Sequence, residues 1–420
     1  MLDRIALTRG FMALCAALAV AIPMGTLAAP TERALYAFPG GSDGAYPAAG
    51  LITDSKGNLY GTTQGGGFQP ADAGTVFELT PPATASGTWT ETVLYAFMGG
   101  SDGAYPEAGL LADSKGNLYG TTQGGGTIQG SSFQCGTVFE LMPPATAGGA
   151  WTEMVLHAFT CFSDGDQPIG GLIADNEGNL YGTTSAGGAA ESGTVFKLTP
   201  PATAEGTWTE TVLYAFTGGS DGASPIGTLL AGSNGNLYGT TFSGGYSDSP
   251  SCNFSGCGCG TVFELTPPAT TGGAWTEKVL HAFRGCYGGG DGGYPLAGLI
   301  ADSKGNLYGT SSGGFGSSND GTVFELTPPL PRIHGWLYAV LHAFAGGSDG
   351  VYPEGGLIAD SEGNLYGTTQ GGGGSNDGTV FELTGTGSLP PPPPRICAPC
   401  RSPPICCACA GGIWTGKECL

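Results

Sequence analysis

Gly57-Asn58-Leu59-Tyr60-Gly61-Thr62-Thr63 returns at Gly116, Gly178, Gly235, Gly305 and Gly363, six copies in all, with Ser311 alone replacing the final Thr. Each copy follows a Gly-Leu-Ile-Ala-Asp-like run and precedes, after a loop of variable length, Gly-Thr-Val-Phe-Glu-Leu. Most repeats then close with Trp-Thr-Glu-Thr-Val-Leu-Tyr-Ala-Phe, and Ser-Asp-Gly-x-x-Pro leads into the next copy. The Leu-Tyr/His-Ala-Phe element starts at Leu35, Leu94, Leu156, Leu213, Leu280 and Leu341, a period of about sixty residues. A unit of that length holding several short strands is the size of a propeller blade rather than a solenoid rung.

Four strands can be placed in each unit. Leu51 to Tyr60 reads as a hairpin, with Asp54 opening the turn and Gly57 supplying the positive φ that a short loop needs. Asp54, Asp113, Asp175, Asp302 and Asp360 are accordingly read as turn formers. The third strand is Thr75 to Leu79. The fourth runs from Thr90 to Phe97, with Val93, Tyr95 and Phe97 expected on one face and Leu94 and Ala96 on the other. Apolar residues on both faces suit a sheet packed between two others.

Residues 31–38, Thr-Glu-Arg-Ala-Leu-Tyr-Ala-Phe, match the fourth strand alone, whereas the last repeat stops after its third, Thr379 to Leu383. The expectation is therefore an all-β, six-bladed β-propeller of four-stranded blades over residues 29–387, its sixth blade completed by the N-terminal strand. Closure of this kind removes exposed sheet edges.

The ends differ from the repeats. Residues 1–28 carry Arg4 and Arg9 before an apolar stretch and finish on Thr26-Leu27-Ala28, the pattern of a secretory signal peptide rather than a membrane span. Residues 388–396 form a Pro-rich linker that should stay extended. The tail, 397–420, crowds Cys397, Cys400, Cys406, Cys407, Cys409 and Cys419 into a segment without apolar mass for a core. Three local disulfides, a Cys-x-x-Cys redox or zinc site, and intermolecular attachment are its three readings. The expected location is secreted or extracellular, free or attached to the cell surface, with no membrane-spanning segment once the signal is removed.

The recurring motifs, taken together in their order over about residues 31–384, resemble the GloVer tandem repeats of bacterial "choice-of-anchor" extracellular proteins. The resemblance implies an exported or surface-anchored repeat protein and brings no catalytic residue with it. A sorting motif with an apolar span and basic end is not recognisable in the tail.

A net charge of −21 makes nucleic acid and anionic membranes improbable partners. Internal comparison separates frame from specificity. The loops between second and third strands, 64–73, 123–135, 185–192, 242–259, 312–320 and 370–377, carry most of the length variation. Variable polar loops on a rigid frame are the usual seat of recognition. The longest holds Tyr246, Asp248, Asn253 and Phe254, whose aromatic and amide side chains suit sugar faces and hydroxyls, so a glycan or a cell-surface or matrix component is the expected ligand class.

On the same face fall Asp43, Asp102, Asp164, Asp221, Asp291 and Asp349, one per blade. These six carboxylates could gather calcium, a hard cation that takes oxygen ligands. Each, however, directly precedes Gly, as a turn-forming Asp does, and that is the preferred reading. His157, His281 and His342 replace the Tyr of Leu-Tyr-Ala-Phe in separate blades and cannot meet at one metal, and His334 stands alone. No metal site or cofactor is assigned, and no catalytic group is singled out.

The cysteines allow a sharper expectation. Cys135 directly precedes a third strand and Cys161 follows the neighbouring fourth strand, which places them side by side for a disulfide. Cys259 and Cys286 hold nearly the same two places in blade four, and Cys252 and Cys257 would close the long two-to-three loop of that blade. The leading functional reading is a binding module. Its rivals are an extracellular carbohydrate-active hydrolase or lyase using channel carboxylates, and a purely structural surface repeat protein.

Overall fold

A computed structural model describes residues 34–385, apart from 69, 85–86, 127–134, 147, 204–205, 246–257, 271, 285–289, 314–319, 330–334 and 375–376. The segments read from sequence as signal peptide, linker and cysteine tail thus lie outside the described residues. The compact unit starting at Tyr36 is an all-β, six-bladed propeller of antiparallel sheets. Blade one comprises Ile52–Thr53, Leu59–Thr63, Thr75–Thr80 and Thr90–Ala96, paired in that order. Blades two to five repeat this arrangement, from Leu111–Ala112 through Leu337–Ala343, and blade six has three strands, Ile358–Ala359, Leu365–Thr369 and Thr379–Leu383. No helix among the described residues is long and apolar enough to cross a membrane.

The repeated heptapeptide is explained residue by residue. Gly57 has φ 83°, the turn conformation that a side chain resists. The Asp54 carboxylate accepts from the backbone N–H of Lys56 and Asn58, from the Asn58 amide and from the Tyr60 hydroxyl, which is what an Asp that forms a turn does. Gly61 faces Phe77 across the ladder, and a β-carbon there would stand 2.7 Å from the ring. The aromatic ring therefore requires the glycine beneath it. Thr62 donates to the Ala108 carbonyl of the next blade at 3.1 Å, and the Thr63 and Thr75 hydroxyls meet at 2.8 Å. Ser311 keeps this last contact, 2.8 Å to Thr322, so the one departure in six repeats retains the hydroxyl that the position uses.

Strict alternation fails at the fourth strand. The register shifts between Val76 and Phe77, so that Val76 opposes Tyr95 while Phe77 opposes Val93, and the same shift recurs at the equivalent place in blades two to five. The extra residue in this bulge, Leu94, turns to the side of Phe97 instead of away from it. Leu94 and Phe97 accordingly join Val76, Leu110, Leu118, Phe139 and Leu141 in the core between blades one and two. Equivalent cores lie between each later pair of neighbours. The phenylalanine ending each fourth strand meets a third-strand phenylalanine of the next blade edge-on, as Phe97 meets Phe139 at 5.2 Å.

Closure by an N-terminal strand is not part of what the described residues form. Thr31 to Arg33 lie outside them, Ala34 to Phe38 adopt no strand, and no described residue pairs with the outer edge of Thr379–Leu383. Val380 is 81% exposed, whereas Val76, Val138, Val195, Val262 and Val323 are fully buried, and Leu51 is 50% exposed. Tyr36 and Phe38 nevertheless repeat the contacts of a fourth-strand end: Tyr36 donates to Asp43 at 2.9 Å, and Phe38 meets Phe77 at 4.9 Å.

Candidate binding face and the blade seams

The turn that enters each blade and the start of its two-to-three loop are tied together. Ala45 and Gly65 exchange backbone hydrogen bonds of 2.8 and 3.0 Å, and a bridge of the same kind joins the two segments in every blade. Both loop classes therefore open on one face. Tyr246, Asp248, Asn253 and Phe254, the expected contact residues of the longest loop, lie outside the described residues, as do Cys252, Cys257, Cys286 and His334.

Cys135 and Cys161 are joined in a disulfide, with Cα atoms 5.1 Å apart. It ties the end of the blade-two loop to the segment leading into blade three. Cys259, at the equivalent place in blade four, is buried and also disulfide-bonded. Asp166 lies close to the Cys135–Cys161 pair, the one potential metal-ligand trio among the described residues, but sulfurs committed to each other are not thiolate ligands.

The six entry-turn aspartates are each engaged separately. Tyr95 donates to Asp102 at 3.1 Å and Tyr214 to Asp221 at 3.0 Å, while His281 and His342 stand 3.1 Å from Asp291 and Asp349. His157 Nε2 approaches Asp164 to 3.3 Å, close enough for an ion pair although not aligned as a hydrogen bond. Backbone N–H groups of Met98, Thr160, Thr217, Arg284 and Ala345 complete the turns. Tyr and His interchange here because each offers a ring for the seam and a polar atom for the Asp.

A second carboxylate at four of the seams was not apparent from the sequence. Glu91, Glu153, Glu210 and Glu277, from the Trp-Thr-Glu element, each keep a buried Oε1 without a hydrogen-bond partner. Burial first, and then the neighbouring Asp43, raises Glu91 to about 7. Burial and Asp102 do the same to Glu153, and burial and Asp221 to Glu277, each reaching about 7. Glu210 also reaches about 7 through burial, with His157 pulling it down and Asp164 pushing it up. Blade five has Tyr338 in this place, donating to the Asp291 carbonyl and stacked 4.0 Å from His281. Alternation alone would have placed these glutamates as ordinary solvent-facing residues. Each faces an aspartate far away in sequence, across a junction that only the folded chain creates.

A propeller whose blades carry this six-fold motif is a tandem-repeat architecture. The profile of the Gloeobacter/Verrucomicrobia repeat matches residues 25–252 and 251–389, and the chain belongs to that family. No curated protein matches the chain. Among solved structures it is similar to PorZ, a surface component of the type-IX secretion system of Porphyromonas gingivalis, at 14% identity and TM-score 0.47, covering 83% of this chain and 41% of that one. A putative 6-phosphogluconolactonase from Bacteroides uniformis matches at 12% identity and TM-score 0.46, over 82% and 86% of the two chains. The GH93 α-L-arabinofuranosidase of Fusarium graminearum matches at 14% and 0.45, over 79% and 90%. The chain thus spans less than half of PorZ, and likeness at this level concerns the fold alone.

Proposed function

We propose that this chain is an exported binding module whose variable loop face engages glycans. The observation that carries the reading is the bridge between entry turn and loop in all six blades, which sets loops of unequal length on one fixed frame. The Cys135–Cys161 bond supports an oxidising destination, in keeping with the signal peptide read at residues 1–28. The test is a polysaccharide and glycan-array screen of residues 29–387, with and without chelator and with released sugars assayed. A form with residues 243–258 shortened runs beside it. Binding without product release supports the module, sugar release promotes a hydrolase or lyase, and no binding in any condition leaves a structural surface role.

In the same reading, residues 31–38 close the ring as the fourth strand of blade six. Closure would cover Val380 and Leu51, and would let Thr368, now exposed, reach Ala49 as Thr62 reaches Ala108. Removing only residues 29–34 leaves Tyr36 and Phe38 on blade one, so a fall in thermal midpoint is the expected result. An unchanged midpoint refutes closure.

A further inference from the structure

At the mouth of each blade one residue holds the left-handed backbone conformation: Tyr46, Tyr105, Gln167, Ser224, Tyr294 and Tyr352, with φ between 55° and 59°. A bulky side chain resists this conformation, which is kept where surrounding bonds enforce it. Tyr105 shows the enforcement: its N–H donates to the Ala73 carbonyl of the previous blade at 2.7 Å, and its own carbonyl accepts from Gln123 N–H at 3.0 Å.

The ring is matched to what lies under it. Wherever the position is Tyr, the bridge residue opposite is glycine, namely Gly65, Gly124, Gly313 and Gly371; opposite Gln167 and Ser224 stand Ala186 and Ser243. A β-carbon on Gly65 or Gly124 would lie 3.4 Å from the Tyr46 or Tyr105 ring, and one on Gly313 only 2.7 Å from Tyr294. The Tyr46, Tyr105 and Tyr294 rings thus each lie over a glycine.

One of these rings is covered within the protein. Phe242 of blade four stacks on Tyr294 at 5.1 Å and 29°. Between blades one and two, the place of Phe242 is held by Gln64, which donates instead to the Glu107 carboxylate two residues beyond Tyr105. Tyr105 is left 43% exposed and Tyr46 73% exposed. Burial raises the Glu107 carboxyl, opposed by the Gln64 hydrogen bond.

We infer that Tyr105, Gln64 and Glu107, with Tyr46 on the adjoining blade, form a subsite for a neutral oligosaccharide, an inference that rests on the glycan-binding reading above. The bare tyrosine face takes the C–H face of a pyranose ring. The Gln64 amide and Glu107 carboxylate, already oriented toward each other across the seam, meet its hydroxyls, the amide donating to them and the carboxylate accepting from them. The charge of −21 disfavours uronates and other polyanions at the same place.

The test uses the full oxidised chain with cellohexaose, xylohexaose, mannohexaose and laminarihexaose as probes, and polygalacturonate and decalysine as charged controls, by titration calorimetry. At least one neutral hexasaccharide should bind. Tyr105→Ala should weaken it on the order of tenfold, the scale of one aromatic stacking contact. Gln64→Ala should also weaken it, while Ser224→Ala binds as the parent does, with all three variants keeping the parental thermal midpoint. Parental affinity in both Tyr105→Ala and Gln64→Ala overturns the subsite, as does binding of decalysine alone. Loss of binding only when residues 243–258 are shortened moves the site to the long loop and keeps the function. Binding of no probe removes both.

Discussion

The four seam glutamates make stability fall as pH rises through neutrality. Their folded-state values of about 7 stand above the ordinary 4.5. The folded state therefore holds protons that the unfolded chain releases, and stability must decline between about pH 4.5 and 7. The groups facing them are Asp43 and Tyr36 for Glu91, Asp102 and Tyr95 for Glu153, Asp164 and His157 for Glu210, and Asp221 and Tyr214 for Glu277. A shift of this size corresponds to about 3 kcal/mol for a fully enclosed carboxyl, and solvent screening of these partly exposed ones leaves about 1 kcal/mol each. Four such seams together amount to about 4 kcal/mol. With an unfolding entropy of about 2 cal/mol/K per residue over roughly 350 residues, the thermal midpoint should drop by about 5 °C between pH 5 and pH 8.

The perturbation is the quadruple variant Glu91→Gln, Glu153→Gln, Glu210→Gln, Glu277→Gln, which keeps shape and removes the charge. Melts followed by circular dichroism at pH 5, 6, 7 and 8, at constant ionic strength, should show the parent declining and the variant nearly flat. The two should converge near pH 5 and separate by about 5 °C at pH 8. A parent midpoint that holds or rises from pH 5 to 8, or a variant that declines as steeply as the parent, refutes the assignment of buried proton-binding carboxyls to the seams.

Other consequences are more local. Gly182→Ala sets a β-carbon 2.6 Å from the Phe196 ring and should destabilise by about 1–3 kcal/mol through overpacking, read as a lowered midpoint in urea. Reducing or removing Cys135–Cys161, which spans 26 residues of sequence, should cost about 3.5 kcal/mol by the loop-entropy relation, checked by melts with and without reductant. Non-reducing peptide mapping should give Cys286 as the partner of Cys259; any other partner breaks the equivalence between blades two and four.

The frame was legible because each blade repeats the same local chemistry. Asp54 sits where a turn former must, Gly61 where a ring presses on the backbone, and Thr63 where two strands share hydroxyls, so the repeat itself displays these requirements. The bulge at Leu94 was not legible, since one extra residue in a strand alters the facing of its neighbours without altering composition. The seam carboxylates were hidden for a different reason: Glu91 meets Asp43 only when the entry turn and fourth strand of one blade come together. The tyrosine ledge lay between these cases. Its pairing with glycine is visible on comparing repeats, but the positive φ at each tyrosine belongs to the folded backbone.

The same comparison predicts how changes in the two kinds of position will combine. Seam residues act through nearest-neighbour junctions, so their contributions should add nearly independently from blade to blade. Glu91→Gln and Glu277→Gln, in blades one and four, should therefore give a double variant whose gain at pH 8 equals the sum of the singles to within about 0.5 kcal/mol. Tyr105 and Gln64 would touch one ligand together, and their losses in affinity should fall short of additivity. Equal additivity in both pairs would mean that ledge and seam do not differ in kind, and that the exposed tyrosines share no ligand with the amide beside them.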